Sequence, residues 1–330
     1  MFDHSATGSR PGRHASSLGA IGGFATDRGR RGGRGGFLLK AAASIGLVVF
    51  ILNRADLDAV WRAMAQIAPG WLGLALACQL LGPAIIALRW RGLLGHHDLH
   101  PGWPYLYRSV LVSGFFRQFM PSTIGGDVIR GYDAWRAGAS KSLALMSLVV
   151  DRLAGLLALL TLAMLALLLS PQIDQRVPGL RWLGLALLAA LVALAVLLAR
   201  PRRAGAASGR LGRIGAALAL YHGAMPALLR AAALSLLLQV NVITFYWALG
   251  LALGLPVSYA DFYVIAPVAV LVMMLPISIN GIGVREGVFV LLLAQWGVQA
   301  SDALALAWLE FGIFLLFGCL GGVLFALRRG

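Results

Sequence analysis

Long runs of apolar residues alternate along the chain with short polar segments that are rich in arginine. A helix needs about 20 apolar residues to cross a bilayer. Between the first two runs, Val60, Trp61 and Met64 recur at helical spacing, which predicts an amphipathic helix at the membrane surface. The pattern predicts six spanning helices, at residues 37–53, 70–88, 142–170, 182–199, 231–253 and 303–327.

Two further apolar segments are each interrupted by a motif of proline, glycine and charged residues. One motif begins at Pro121 and the other at Pro276, 155 positions later, and both fit the pattern P-x-[ST]-I-x-G-x-x-[IV]-R. The pattern ends at Arg130 in the first copy and at Arg285 in the second. Because proline and glycine interrupt a helix, and a charge at bilayer depth is costly, each motif predicts a broken, re-entrant hairpin.

The repeated motif predicts that the chain contains two copies of one unit. Residues 1–36 are a basic tail that we expect to be disordered and cytoplasmic, residues 37–181 form the first membrane repeat, and residues 182–330 form the second. An odd number of spans in each copy inverts the second copy relative to the first, as in many transporters. The predicted fold class is an all-α polytopic membrane protein with two inverted repeats, each with about three spanning helices plus a re-entrant broken hairpin.

The composition agrees with an integral membrane protein. Hydrophobic residues make up 59% of the chain, charged residues make up 12%, and the mean hydropathy is +0.82. A soluble domain has roughly twice that charged fraction. The net charge of +15 lies mainly in the tail and short loops. That distribution indicates the positive-inside pattern and attraction to anionic lipid rather than nucleic-acid binding, and it places both termini in the cytoplasm.

Arg130 and Arg285 are the main candidates for binding a lipid headgroup, because a guanidinium group matches the geometry of a phosphate. The acidic residues near them would pair with the arginines in the empty state or select a cationic headgroup. An alternative is purely structural, with Asp127–Arg130, Asp151–Arg152 and Arg285–Glu286 pairs holding the breaks together. The candidate binding residues are Arg130, Arg285, Asp127, Glu286, Asp151, Arg152, Ser278, Asn280 and Glu310, and the candidate hairpin-shaping residues are Pro121, Gly125, Gly126, Pro276, Gly281 and Gly283.

The sequence contains no pattern that predicts an enzyme, a metal site or a cofactor. His96, His97 and His100 share one polar loop, but Pro101 ends any helix that would pair two of them. Cys78 lies alone in an apolar run, as a small core residue does. The chain has no Ser-His-Asp order, no H-E-x-x-H motif and no Walker loop. We therefore expect neither catalysis nor a bound cofactor.

The two motifs resemble those of the flippase-type transmembrane domain of lysylphosphatidylglycerol synthases and their stand-alone relatives. The likeness spans roughly residues 37–327 and includes the Asp151-Arg152 pair, although many relatives carry Glu at the first of these positions. In that family the membrane part is held to move aminoacylated phospholipid between leaflets, and a soluble aminoacyl-transferase domain makes that lipid. The resemblance implies a stand-alone member in the bacterial inner membrane without the transferase domain. Such members are implicated with varied polar lipids, so the resemblance implies no particular cargo.

Three functions remain open at this point. The first is a flippase that moves a polar phospholipid or glycolipid between leaflets, with membrane lipids as its partners. The second is a non-transporting membrane subunit that binds lipid or scaffolds an envelope-lipid biosynthesis enzyme. The third, an integral-membrane enzyme that modifies lipid, lacks a nucleophile or metal set. The cargo, the direction of movement and the oligomeric state are left open.

Overall fold

The computed structural model describes residues 56–119, 125–169, 178–199, 221, 223–275, 278 and 281–328. The predicted tail and first span lie outside these residues. Within the described ranges the regular structure is helical, without a strand. In chain order the helices are α1 Leu57–Ala65, α2 Pro69–Gly95, α3 Trp103–Phe119, α4 Gly125–Arg136, α5 Lys141–Leu169, α6 Leu180–Ala199, α7 Met225–Ala252, α8 Tyr259–Met274, α9 Val284–Leu293 and α10 Ala300–Ala326.

Four of the described helices, α2, α5, α7 and α10, are long and apolar enough to cross a membrane, with 27 to 29 residues each. Shorter apolar stretches lie in α6, at Leu180–Ala193, and in α8. Within the most apolar 18 residues of each helix, only 28% are buried inside the protein in α2 and 50% in α10. Apolar surface of this extent facing outward is typical of contact with lipid. The prediction of an all-α polytopic membrane protein is confirmed.

Helix α1 has the amphipathic character that its sequence predicts. The side chain of Asp56 accepts a hydrogen bond from the backbone N–H of Ala59 and caps the first turn. Val60 is fully buried, whereas Trp61 is exposed. The buried side of α1 packs against α10. Its position at the membrane surface stays a prediction.

Two helix boundaries differ from those expected by six residues or more. Helix α2 does not end at Leu88 but continues to Gly95, so Arg89 lies inside the helix and is buried. Helix α7 begins at Met225 rather than at Ala231. The expectation for α2 was wrong because it treated an arginine as the end of an apolar span. A buried carboxylate on α5 neutralises the charge of Arg89, so the helix can continue through it.

Each motif separates two helices that pack against each other, α3 with α4 and α8 with α9. In the second break Gly281 and Gly283 have φ angles of 75° and 82°, a left-handed conformation that glycine adopts without steric cost. The Glu286 carboxylate accepts a hydrogen bond of 2.7 Å from the backbone N–H of Gly283 at the start of α9. Residues 120–124, 276–277 and 279–280, which include Pro121 and Pro276, lie outside the described residues. The return of each hairpin to the face it entered, and the inversion of the repeats, stay predictions.

The helices α2 to α5 correspond in order and length to α7 to α10. They contain 27, 17, 12 and 29 residues in the first unit and 28, 16, 10 and 27 in the second. The two units interlock, because α2 packs on α7, α3 on α10 and α8 on α5. On α10, a Cβ atom at Gly321 would overlap the backbone oxygen of Leu111 in α3. Small residues of this kind allow helix backbones to approach closely in a membrane.

Candidate functional site

Asp151 lies at the centre of a buried charged cluster in the first unit. Its Oδ1 accepts a 2.6 Å hydrogen bond from Arg89 Nε, and its Oδ2 accepts a 3.0 Å bond from Arg130 Nη1. The exposed fractions of the three side chains are between 3% and 7%. One carboxylate thereby joins α2, α4 and α5. Two guanidinium groups and one carboxylate leave this cluster with one formal positive charge in excess.

Arg130 keeps hydrogen-bonding capacity that the protein does not use. Its guanidinium carbon lies 4.5 Å from the centre of the Trp90 ring, and Trp90 Nε1 donates a 3.1 Å hydrogen bond to Ser147 Oγ. Both Nε and Nη2 of Arg130 are buried and lack a hydrogen-bond partner among the described residues. Because a buried donor without a partner is costly, this arrangement favours an external acceptor.

The cluster also reaches the second unit through Arg89. Its Nη1 donates a 2.7 Å hydrogen bond to Ser235 Oγ on α7. This role of Arg89 was not predicted, because the expected span at residues 70–88 ended just before it. A signal was available, because apolar residues continue after it through Leu93 and Leu94, both of which are buried. An arginine within an apolar run indicates a buried partner.

A second buried cluster is centred on Glu310, which is fully buried. Tyr246 Oη donates a 2.7 Å hydrogen bond to Glu310 Oε1, and Arg285 Nε lies 3.6 Å from Glu310 Oε2. The Arg285 guanidinium also lies over the ring of Phe311, 5.0 Å from its centre. This cluster joins α7, α9 and α10. The role of Tyr246 was not predicted, because in the sequence it resembles any other aromatic residue in an apolar span.

The two clusters are built in the same way. Asp151 and Glu310 each lie ten residues after the first residue of the fourth helix of their unit. Each accepts a hydrogen bond from a side chain on the first helix of its unit. The donor Arg89 lies 62 positions before Asp151, and the donor Tyr246 lies 64 positions before Glu310. Each also pairs with the motif arginine on the unit's third helix. This correspondence extends the repeat from the motif to the charged interior of the protein.

The carboxylate partners differ from the structural pairs that the sequence suggested. Asp127 pairs with Arg152 rather than with Arg130, although this pair also joins α4 to α5. Asp151 binds Arg89 and Arg130 rather than the adjacent Arg152. Successive residues of a helix point in different directions, so adjacent opposite charges do not face each other. The proposed Asp127–Arg130, Asp151–Arg152 and Arg285–Glu286 pairs were therefore wrong: the Glu286 carboxylate caps α9, and Arg285 pairs with Glu310.

Comparison with known families decides the relationship that the motifs suggested. Residues 37–322 match the family described as the lysylphosphatidylglycerol synthase TM region. The chain belongs to this family. A search of curated proteins found no match. Membership in the lysylphosphatidylglycerol synthase TM region family supports a membrane protein of lipid metabolism or transport, and the matched range contains both charged clusters.

The remaining candidate residues of this lysylphosphatidylglycerol synthase TM region lie near the breaks. Gly125 and Gly126 are buried at the start of α4, and a Cβ atom at Gly126 would lie 2.6 Å from the backbone oxygen of Ser113. This close approach of α4 to α3 requires glycine. Ser278 is partly buried, whereas Asn280 lies outside the described residues. Lipid binding by these residues stays a prediction.

Proposed function

We propose that this protein is a lipid flippase that moves a phospholipid or glycolipid with a polar headgroup between membrane leaflets, without a chemical step of its own. The observation that carries the proposal is Arg130, a buried guanidinium in a cluster with excess positive charge, two of whose nitrogens have no hydrogen-bond partner among the described residues. An uncompensated charge inside a membrane is costly and is retained where it serves a function. A phosphate oxygen is an acceptor that suits a guanidinium group in both charge and geometry.

In this mechanism the headgroup phosphate binds Arg130 and takes the place of Asp151 there. Asp151 remains bound to Arg89, so the exchange leaves no carboxylate without a partner. The acyl chains stay in lipid, along helices whose apolar side chains face outward. Arg285 and Glu310 provide an equivalent pair in the second unit for the next step of the movement. Movement of the headgroup from one arginine to the other then requires only a local exchange of charged partners, which broken helices allow.

The proposed orientation has both termini in the cytoplasm of a bacterial inner membrane, in agreement with the positions of the basic loops. Membrane lipids are the proposed partners. A lipid-biosynthesis enzyme enters as a partner only under the alternative function, a membrane subunit that binds lipid without moving it.

The test is a leaflet assay in liposomes that contain the purified protein and a labelled lipid. Phosphatidylglycerol, lysylphosphatidylglycerol and a glycolipid are compared. The informative variant is Arg130→Gln, because it removes the excess charge while Asp151 keeps Arg89 as its partner. We expect Arg130→Gln to abolish flux with little change in the unfolding midpoint, and Arg130→Lys to retain part of the flux. Arg108→Gln, at an exposed arginine of α3, is the matched control.

Two results would contradict the proposal. Flux that is unchanged in Arg130→Gln would show that this arginine does not bind the cargo. An absence of flux for every lipid, from wild-type protein shown to be folded, would exclude the flippase function for these cargoes. The second result would favour the non-transporting subunit, and its enzyme partner would then be sought by co-purification.

A further inference from the structure

A cavity of about 720 Å³ opens between the C-terminal half of α2 and the first turns of α7. Its lining includes Arg89, Arg91 and Arg230 together with apolar residues such as Leu88 and Leu234. Among the described residues that line it, none is acidic. The cavity thus combines a cationic wall with an apolar one. Its size is within the usual range for pockets that bind small molecules.

A neighbouring cavity of about 750 Å³ shows that this charge pattern is not general at this end of the protein. It is also lined by three arginines, Arg108, Arg136 and Arg328, but its wall includes Asp98 and Asp133. Two nitrogens of Arg328 each donate a 3.0 Å hydrogen bond to the carboxylate of Asp133. Two carboxylates in its wall therefore offset most of the positive charge of the second cavity. In the first cavity Arg89 pairs with Asp151, but no carboxylate among the described residues pairs with Arg91 or Arg230.

Arg89 connects the first cavity to the buried cluster of the first unit. It lines the cavity, and its Nε and Nη1 bind Asp151 and Ser235 in the interior. Arg91 and Arg230 are exposed, so they are accessible to a ligand from outside the protein. Leu88, next to Arg89, is 45% exposed, and it continues the apolar wall toward the lipid-facing side of α2. A path of basic residues therefore runs from the surface to the residue that shares Asp151 with Arg130.

We propose that this cavity, lined by Arg89, Arg91 and Arg230, binds the phosphodiester of an anionic glycerophospholipid while its acyl chains lie along the apolar wall. The cavity is a loading site, from which the headgroup moves on to Arg130. The loading role rests on the proposed flippase function, but the binding itself does not. The arginine forks supply charge-assisted hydrogen bonds to the phosphate, and the apolar wall distinguishes a lipid from a soluble phosphate ester.

The binding test uses the full chain in detergent and native mass spectrometry with phosphatidylglycerol as the probe. The test variant is Arg91→Gln/Arg230→Gln, which leaves Arg89 and the buried cluster intact. The control, Arg108→Gln/Arg136→Gln, removes the same charge from the second cavity. We expect the dissociation constant for phosphatidylglycerol to rise roughly tenfold or more in the test variant and less than about twofold in the control. Diacylglycerol with the same acyl chains should show no arginine-dependent binding.

Three results would overturn this site. Unchanged affinity for phosphatidylglycerol in the test variant would exclude the site. An equal loss of affinity in the test and control variants would show that binding depends on general surface charge. Efficient displacement of phosphatidylglycerol by glycerol 1-phosphate would assign the cavity to a soluble phosphate ester instead of a lipid. No displacement by glycerol 1-phosphate, combined with the expected loss in the test variant, supports the lipid assignment.

The outcomes for the site and for the flippase function are separable. Arginine-dependent binding by a protein that shows no flux would retain the site and reject transport. Normal flux, with an unchanged lipid concentration at half-maximal rate in Arg91→Gln/Arg230→Gln, would retain transport and reject the loading site.

Discussion

Replacement of Asp151 by asparagine should destabilise the protein far more than replacement of Glu310 by glutamine. Among the described residues, Asp151 is the carboxylate that pairs with both Arg89 and Arg130, at 2.6 Å and 3.0 Å. Asp151→Asn leaves two buried guanidinium groups without a counter-charge. Breaking a buried ion pair by removing one partner costs about 3–5 kcal/mol. We expect a loss of this size in the free energy of unfolding.

The cost of Glu310→Gln should be smaller, roughly 1–2 kcal/mol, because less is lost. Arg285 lies 3.6 Å from the Glu310 carboxylate, which is long for a hydrogen bond. The amide oxygen of glutamine can still accept the hydrogen bond from Tyr246. Only one arginine, Arg285, then loses a carboxylate neighbour, and its planar group retains the contact with the ring of Phe311.

The assay is denaturant unfolding of the purified full chain in detergent, with thermal midpoints as a second measure. A double variant, Asp151→Asn/Arg130→Gln, completes a mutant cycle. It removes one of the two stranded charges, so part of the stability lost in Asp151→Asn should return. Equal destabilisation by Asp151→Asn and Glu310→Gln, or a double variant less stable than Asp151→Asn alone, would refute this account of the charges.

Two further predictions concern packing and pH. Gly321→Ala places a methyl group against the α3 backbone and should cost about 1–3 kcal/mol of stability. Gly312→Ala, on the same helix with open space around it, is the control and should not have this cost. Equal thermal midpoints for the two variants would contradict the close contact. Burial and the neighbouring His96 lower the pKa of His97 from its ordinary value of 6.5, so the unfolded chain binds this proton more readily and stability should fall as the pH drops below 6.5. Stability is measured at pH 7.5 and pH 5.5, about one unit either side of that pKa. The loss of stability between these two values should be smaller in His97→Gln than in wild type. An identical loss in both proteins would exclude a contribution from this histidine.

The features that could be predicted from sequence are those set by local chemistry. The lengths of the apolar runs predicted the spans now seen as α2, α5, α7 and α10, because a lipid-facing helix must be continuously apolar over a fixed length. Proline and glycine predicted a break in each of two apolar segments, and at the second motif α8 ends at Met274 and α9 begins at Val284. The inverted arrangement of the two copies stays a prediction. The positive φ angles of Gly281 and Gly283 show why glycine was needed at the second break.

The partners of the charged residues could not be predicted in the same way. Arg89 and Asp151 are 62 positions apart, and Tyr246 and Glu310 are 64 positions apart, so each contact depends on how separate helices pack. The sequence suggested pairs between near neighbours instead. That suggestion ignored the rotation between successive residues of a helix, which turns Arg152 away from the partners of Asp151.

The interlocked packing of the two units has a consequence for their origin. The second helix of each unit lies against the fourth helix of the other, so neither unit covers its own interior surfaces. A chain with only one unit would have to bury those surfaces against a second copy of itself. The protein therefore has the architecture of a homodimer whose subunits have been joined into one chain. A homodimer would present the same donor to both buried acids, whereas the joined chain carries Arg89 in one half and Tyr246 in the other. Because both units lie on one chain, their two buried acids can have donors of different charge.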